Sequence, residues 1–151
     1  MEISEIKWIK LNSVCDARGS LTAIEGGQEV PFEIKRVFFI HDVLRGADRG
    51  GHAHRDTDQF AVAIRGSLKI IVSNGVDSRL VILDTPGWGV TLPRMTWTSL
   101  FEFSEGAVCL VMSSTNYDRS KSIRSWPEYL VERSLQECLE HKTGALLARP
   151  H

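Results

Sequence analysis

The chain lacks the marks of several protein classes. Its 151 residues include only three cysteines, Cys15, Cys109 and Cys138. Odd in number and far apart, they offer no disulfide framework and fit a reduced, cytoplasmic protein. Cys109 lies in an apolar run and is expected in the core. No stretch approaches the roughly 18 to 20 apolar residues that a membrane-crossing helix needs. The N-terminus, Met1 to Lys7, is charged and amphipathic and has no signal-peptide core. Net charge is also scarce: 18 basic residues face 19 acidic ones, leaving −1. A general nucleic-acid binder needs a dense basic face for its phosphate contacts, so that class is set aside. A local cluster of arginines remains enough to bind one anionic small molecule. No internal repeat or low-complexity tract is present.

What is there is ordinary globular composition, 42% hydrophobic and 25% charged. A chain of this length buries roughly 70% of the surface its unfolded form exposes. Residues 1–151 are therefore expected to form a single domain that needs neither disulfides nor a structural metal. Period-2 alternation predicts short strands over residues 6–11, 18–25, 34–43, 60–64, 68–73, 79–83, 90–92, 97–103 and 107–112. A turn around Asp16 enters the second. Arg65-Gly66-Ser67 and Asn74-Gly75 are hairpin signals, with glycine available for positive φ. Nine or so closely spaced strands predict an all-β sandwich or barrel. The end of the chain changes character. Ser125-Trp126-Pro127-Glu128 resembles a capping box with proline in the first turn. Leu130, Ser134, Leu135, Cys138 and Leu139 would mark one face of a short C-terminal helix of about three turns, closed by Gly144.

The candidate chemistry falls between residues 36 and 66. His52 and His54 are two apart, so on a strand both imidazoles project to the same face. Histidine titrates near neutrality, and such a pair can act as general base and acid or as metal ligands. Surface decoration is the plain alternative for a His-x-His pair. Against it stand Arg45, Arg49 and Arg55 in the same segment, Gly50-Gly51 beside the pair, and His41 on the preceding strand. The run Val37, Phe39, His41, Val43 puts the third imidazole on a face with apolar neighbours. His52-Ala53-His54, then Gln59, then Gly66 resembles the first metal-binding motif of the cupin superfamily. The second motif resembles residues 87–98. Gln59 stands at the glutamate position and Thr98 at the last histidine position, and an amide and a hydroxyl are poor replacements on a divalent cation. The expectation is a cupin barrel that has given up its metal, with no cofactor.

The resemblance then narrows. Arg49-Gly50-Gly51-His52-Ala53-His54-Arg55 resembles the Arg-Gly-x-His-Ala-His-Lys signature of the nucleotide-sugar 3,4-ketoisomerases, WxcM-like members of the RmlC-like cupins. Asp16 to Leu21, Pro31 to Ile40, and Tyr117-Asp118 with Ile123-Arg124 resemble further family segments, in the family's order, over about residues 7–130. Three departures touch the candidate site: His41 where the family has tyrosine, Thr98-Ser99 where it has His-Glu, and Lys121-Ser122 where it has Asp-Tyr. The resemblance implies a jelly-roll barrel and a homodimer, with the strand around Trp8 crossing to the partner. It also implies conversion of dTDP-4-dehydro-6-deoxyglucose to a 3-keto sugar in deoxysugar, O-antigen or S-layer glycan biosynthesis.

The chemistry suits the residues. A ketone at C4 acidifies the C3 hydrogen, and moving the ketone to C3 needs proton removal, an enediol and reprotonation at C4. By resemblance, His52 and His54 are the catalytic pair, with His54 the first choice as base and His52 as donor or shuttle; His41 would assist. Arg18 and Arg49 are candidates for the diphosphate, because a guanidinium holds phosphate oxygens in a fork. A surface salt bridge is an equal reading of each. Gln59 would hydrogen-bond the sugar or orient a histidine, or simply pack. Trp97 would wall the pocket or lie in the core, and Tyr117 would end a strand with its hydroxyl in water. The sequence leaves open the gluco or galacto configuration at C4. It also leaves two other functions: a 3,5-epimerase-type cupin on the same substrate class, and a non-catalytic nucleotide-sugar binding module. A metal-dependent cupin dioxygenase is disfavoured by Gln59 and Thr98.

Overall fold

Alternating runs bounded by glycine, asparagine and aspartate turns become antiparallel strands in the computed structural model, which describes residues 5–147. The strands are β1 (Trp8–Lys10), β2 (Asn12–Asp16), β3 (Gly19–Ala23), β4 (Arg36–Ile40), β5 (Arg49–His54), β6 (Gln59–Arg65), β7 (Leu68–Ser73), β8 (Ser78–Leu83), β9 (Trp88–Leu92), β10 (Trp97–Phe101), β11 (Val108–Ser113) and β12 (Ser122–Ile123). One helix, α1 (Trp126–Leu147), follows. Two five-stranded sheets, ordered β1-β9-β6-β11-β4 and β12-β5-β10-β7-β8, pack face to face as a cupin-type jelly roll, and β2 and β3 form a separate hairpin. The two expected hairpin turns are present, with Gly66 at φ +68° and Gly75 at φ +93°. At Gly66 an added Cβ would lie 2.4 Å from Ser104 Oγ, so the turn needs glycine for space as well as for φ.

The space between the sheets is filled by Ala61, Ala63, Leu68, Ile70, Val72, Val81, Leu83, Val90, Cys109 and their neighbours. Strand β6 is buried on both faces: Ala61 and Ala63 point between the sheets, whereas Phe60 and Val62 face a second cluster with Leu11, Val30 and Met112. Gln59 shares the parity of Ala61 and Ala63. It therefore faces the interior, at the end of the strand where the apolar filling stops.

The helix differs from expectation in two ways. It runs 22 residues, through Gly144, which keeps helical backbone instead of the left-handed conformation that would end it. Its inward face is also different. Tyr129 and Arg133 are buried, Leu130 is half-buried, and Leu135, Leu139 and Cys138 are exposed. The apolar spacing at 135 and 139 was misleading because the sheet offers polar acceptors. Tyr129 donates its hydroxyl to the carbonyls of Ser73 (3.1 Å) and Met95 (2.8 Å), and Arg133 Nε donates to the Asn74 carbonyl at 3.2 Å. The expected N-terminal cap is present, with Ser125 Oγ accepting from Glu128 N at 3.4 Å.

Candidate active site

The histidine pair owes its placement to glycine. Strand β5 pairs with β10 so that Thr98 lies opposite His52 and Ser99 opposite Gly50, leaving Gly51 as the extra residue of a bulge. Gly50 and Gly51 sit at φ +83° and +74°. A Cβ on Gly50 would come within 2.9 Å of the Thr98 carbonyl, so close passage of β10 excludes a side chain there. Beyond the bulge, Ala53 is buried among Met95, Ile123 and Tyr129 behind the sheet, and His52 and His54 turn to the opposite face. Their rings meet edge to face with centroids 4.8 Å apart. Both line a cavity of about 810 Å³ between the sheets, in the range of small-molecule sites.

Burial and crowded positive charge keep both rings neutral. His54 is pushed down to about 4, first by burial and then by His52, Arg36 and Arg124, with Asp56 opposing. His52 is also lowered, mainly by burial, with the Gly50 backbone opposing and Arg124 adding. His54 Nδ1 lies 3.4 Å from Ser122 Oγ, across the β5–β12 pairing. His52 Nδ1 is buried without a hydrogen-bond partner among the described residues.

A side cavity of about 330 Å³ adjoins the main one, and the two share Arg36, His54, Gln59 and Tyr117. The Gln59 amide donates to Ser113 Oγ at 3.2 Å. Thr57 and Thr115 hydroxyls meet at 2.5 Å, and Asp58 takes Arg94 Nη2 at 2.9 Å and Arg94 N at 2.9 Å, which fixes the loops around this cavity.

The other sequence candidates divide. Arg49 lines the main cavity. Arg18 does not: it is exposed and paired with Asp16 at 2.6 Å in the β2–β3 turn. Trp97 lies behind the sheet against Trp126 and Tyr129, at 5.3 and 5.6 Å between centroids, and does not line the cavity. His41, just past the end of β4 and exposed, also lines the main cavity; its ring lies 5.2 Å from exposed Phe39, and its Nδ1 pairs with Asp42 Oδ2 at 2.6 Å. Arg55 turns away to Glu132 (2.6 Å) on α1.

Sequence reasoning missed Arg36 and Arg124, and it did not place Tyr117, which is more than half exposed, at the edge of both cavities. The Arg36 guanidinium lies 4.5 Å from the Phe38 ring centroid and 4.8 Å from that of Tyr117. The alternation Arg36, Phe38, Ile40 on β4 is the signal in the sequence, opposite in parity to Val37 and Phe39. Among the described residues no cluster of three or more His, Cys, Asp or Glu could hold a metal ion. The cupin metal position here offers two imidazoles, an amide already bonded to Ser113, and a hydroxyl, a donor set that does not fit a divalent cation.

The site can be set beside known proteins. A curated protein of Aneurinibacillus thermoaerophilus, TDP-4-oxo-6-deoxy-alpha-D-glucose-3,4-oxoisomerase, is 35% identical over 125 residues, covering 83% of this chain and 90% of that protein. The TDP-quinovose 3,4-ketoisomerase WlaRB of Campylobacter jejuni is 38% identical, with a TM-score of 0.81 over 85% of this chain and 98% of its own. QdtA, the sugar 3,4-ketoisomerase of Thermoanaerobacterium thermosaccharolyticum solved in complex with TDP, is 32% identical, with a TM-score of 0.86 over 89% and 98%. Residues 4–134 match the family described as FdtA: WxcM-like, C-terminal, and the chain belongs to that family.

Proposed function

We propose that the protein is a 3,4-ketoisomerase of a dTDP-linked 4-keto-6-deoxy sugar in deoxysugar biosynthesis. The observation that carries the reading is the pair of neutral imidazoles, 4.8 Å apart, on one wall of the cavity, in a chain of this family. A base must be unprotonated to accept a carbon-bound proton, and the low pKa of His54 leaves it so throughout the physiological range.

His54 removes the C3 proton, and the C3–H electrons form the C3=C4 bond while the carbonyl electrons move onto O4. His52 donates a proton to O4, giving the enediol. The O3 proton then passes back to His52 as the C3=O bond forms, and protonated His54 delivers its proton to C4. Carbon-bound and oxygen-bound hydrogens are thus handled by different rings, and both return to their starting state. Arg49 and Arg124, exposed and lining the cavity, bind the diphosphate. The sequence proceeds without a metal, since hydrogen-bond donors and cations can stabilise the enediolate.

The working form is a homodimer. Val14 and Leu21, paired across the β2–β3 hairpin, and Val37 and Phe39 on edge strand β4 are each more than half exposed, an apolar surface that a second copy would cover. Strand β1 itself pairs within its own chain, Trp8 opposite Val90. A sedimentation mass of one chain, 16.9 kDa, at micromolar concentration would contradict the dimer. The three free thiols suit a cytoplasmic location.

His52→Asn and His54→Asn test the assignment. Each is expected to lower turnover by about 10²- to 10⁴-fold while leaving dTDP affinity nearly unchanged. Wild-type rates in both variants would remove the histidines from the mechanism.

A further inference from the structure

The isomerase reading asks for positive charge in two places, at the diphosphate and at the oxygen where enediolate charge builds. Three arginines line the main cavity, and they are not equivalent. Arg49 and Arg124 are exposed. Arg36 is half-buried on the inward face of β4, at the junction of the two cavities, with His54, Gln59 and Tyr117 as the other residues common to both. Its guanidinium lies against the Phe38 and Tyr117 rings and makes no ion pair with a carboxylate among the described residues. Of the other half-buried arginines, Arg55 is paired with Glu132 and Arg79 donates to the Ile6 carbonyl. An unpaired cation kept in place by two aromatic faces is already oriented, so it meets a developing anion without reorganising. It is also near enough to His54 for its charge to be felt there.

We propose that Arg36 is a further catalytic residue, the cation that stabilises the O4-centred charge formed as His54 takes the C3 proton. The proposal rests on the isomerase reading. It separates Arg36 from Arg49 and Arg124, whose charge serves binding. When the C3–H electrons move into the C3=C4 bond, O4 gains negative charge until His52 protonates it, and the Arg36 fork offers two N–H donors to that oxygen.

The test is steady-state kinetics and dTDP binding for Arg36→Met and Arg36→Lys. In Arg36→Met, kcat is expected to fall about 10²- to 10³-fold, the loss typical of an oxyanion donor, with the dTDP dissociation constant changed by less than about 3-fold. The acid limb of kcat/KM should also move to higher pH. The groups acting on His54 are His52, Arg36 and Arg124, which lower it, and Asp56, which raises it. Lys121 and Asp118 line the same side cavity. Removing one cation raises the base's pKa, so protonation disables it at higher pH. A structural role would not move that limb. Arg36→Lys keeps the charge and loses the planar fork; kcat should fall about 10-fold with the acid limb unmoved. It remains informative if the methionine variant does not fold. Loss of dTDP affinity with kcat intact would make Arg36 a diphosphate anchor and overturn the proposal, as would wild-type kinetics in Arg36→Lys. Absence of any 3-keto product from the wild-type protein would instead overturn the isomerase reading itself.

Discussion

Acidification should destabilise this protein through its histidine pair, by an amount the site geometry sets. His54 titrates near 6.5 in an unfolded chain and at about 4 in the folded one. The folded state therefore resists a proton that the unfolded state accepts. The stabilisation is complete above about pH 6.5 and drains away as pH falls toward 4, below which it is flat. A shift from 6.5 to about 4, at roughly 1.4 kcal/mol per unit, gives about 3 kcal/mol. That is an upper bound, because the ring is only half-buried and solvent screens part of the effect. His52 adds a contribution of the same sign. The perturbation is His54→Asn. The assay is urea denaturation of both proteins at pH 7 and pH 4. The wild type should lose up to about 3 kcal/mol more than the variant across that interval, since the carboxylates shared by both proteins cancel in the difference. Equal losses in the two proteins would mean that His54 is not held neutral, and the description of it as a ready base would fail with it.

Three other outcomes follow from the same geometry. Arg124→Ala and Arg49→Ala should each weaken dTDP binding more than they slow turnover, and Arg124→Ala should also raise the acid limb of kcat/KM, because its charge depresses both histidines; titration calorimetry and a pH–rate profile check this. Gly89→Ala should lower stability by about 1–3 kcal/mol or more, because its Cβ would sit 2.0 Å from Cζ of the fully buried Phe60, beside Gln59; an unchanged melting temperature would contradict the packing. Dialysis against a chelator should leave activity intact, whereas about one transition metal per chain together with chelator-sensitive activity would refute the reading of Gln59 and Thr98.

The strands were legible in the sequence wherever one face is buried, as at β7 and β10, because alternation and turn glycines then coincide. Strand β2 was missed because all five of its residues are exposed, leaving no buried face to impose a pattern. The histidine pair was legible from its spacing and the glycines before it. The arginines were not, since Arg18, Arg36, Arg49 and Arg124 look alike in a sequence. Arg18 is taken by Asp16 in a local turn, whereas Arg36 reaches the cavity through the parity of β4. His41, one residue past β4 and opposite in parity to Arg36, lines the main cavity all the same, which the alternation by itself does not show. Trp97 is turned behind the sheet by the aromatic cluster that seats α1.

The most direct test of the isomerase reading is incubation of the wild-type protein with dTDP-4-keto-6-deoxyglucose in deuterated water, followed by proton NMR. The account predicts loss of the C3 hydrogen signal and growth of a 3-keto product. A protein that binds the nucleotide sugar yet leaves the C3 hydrogen unexchanged and forms no product would contradict it and would be a binding module instead.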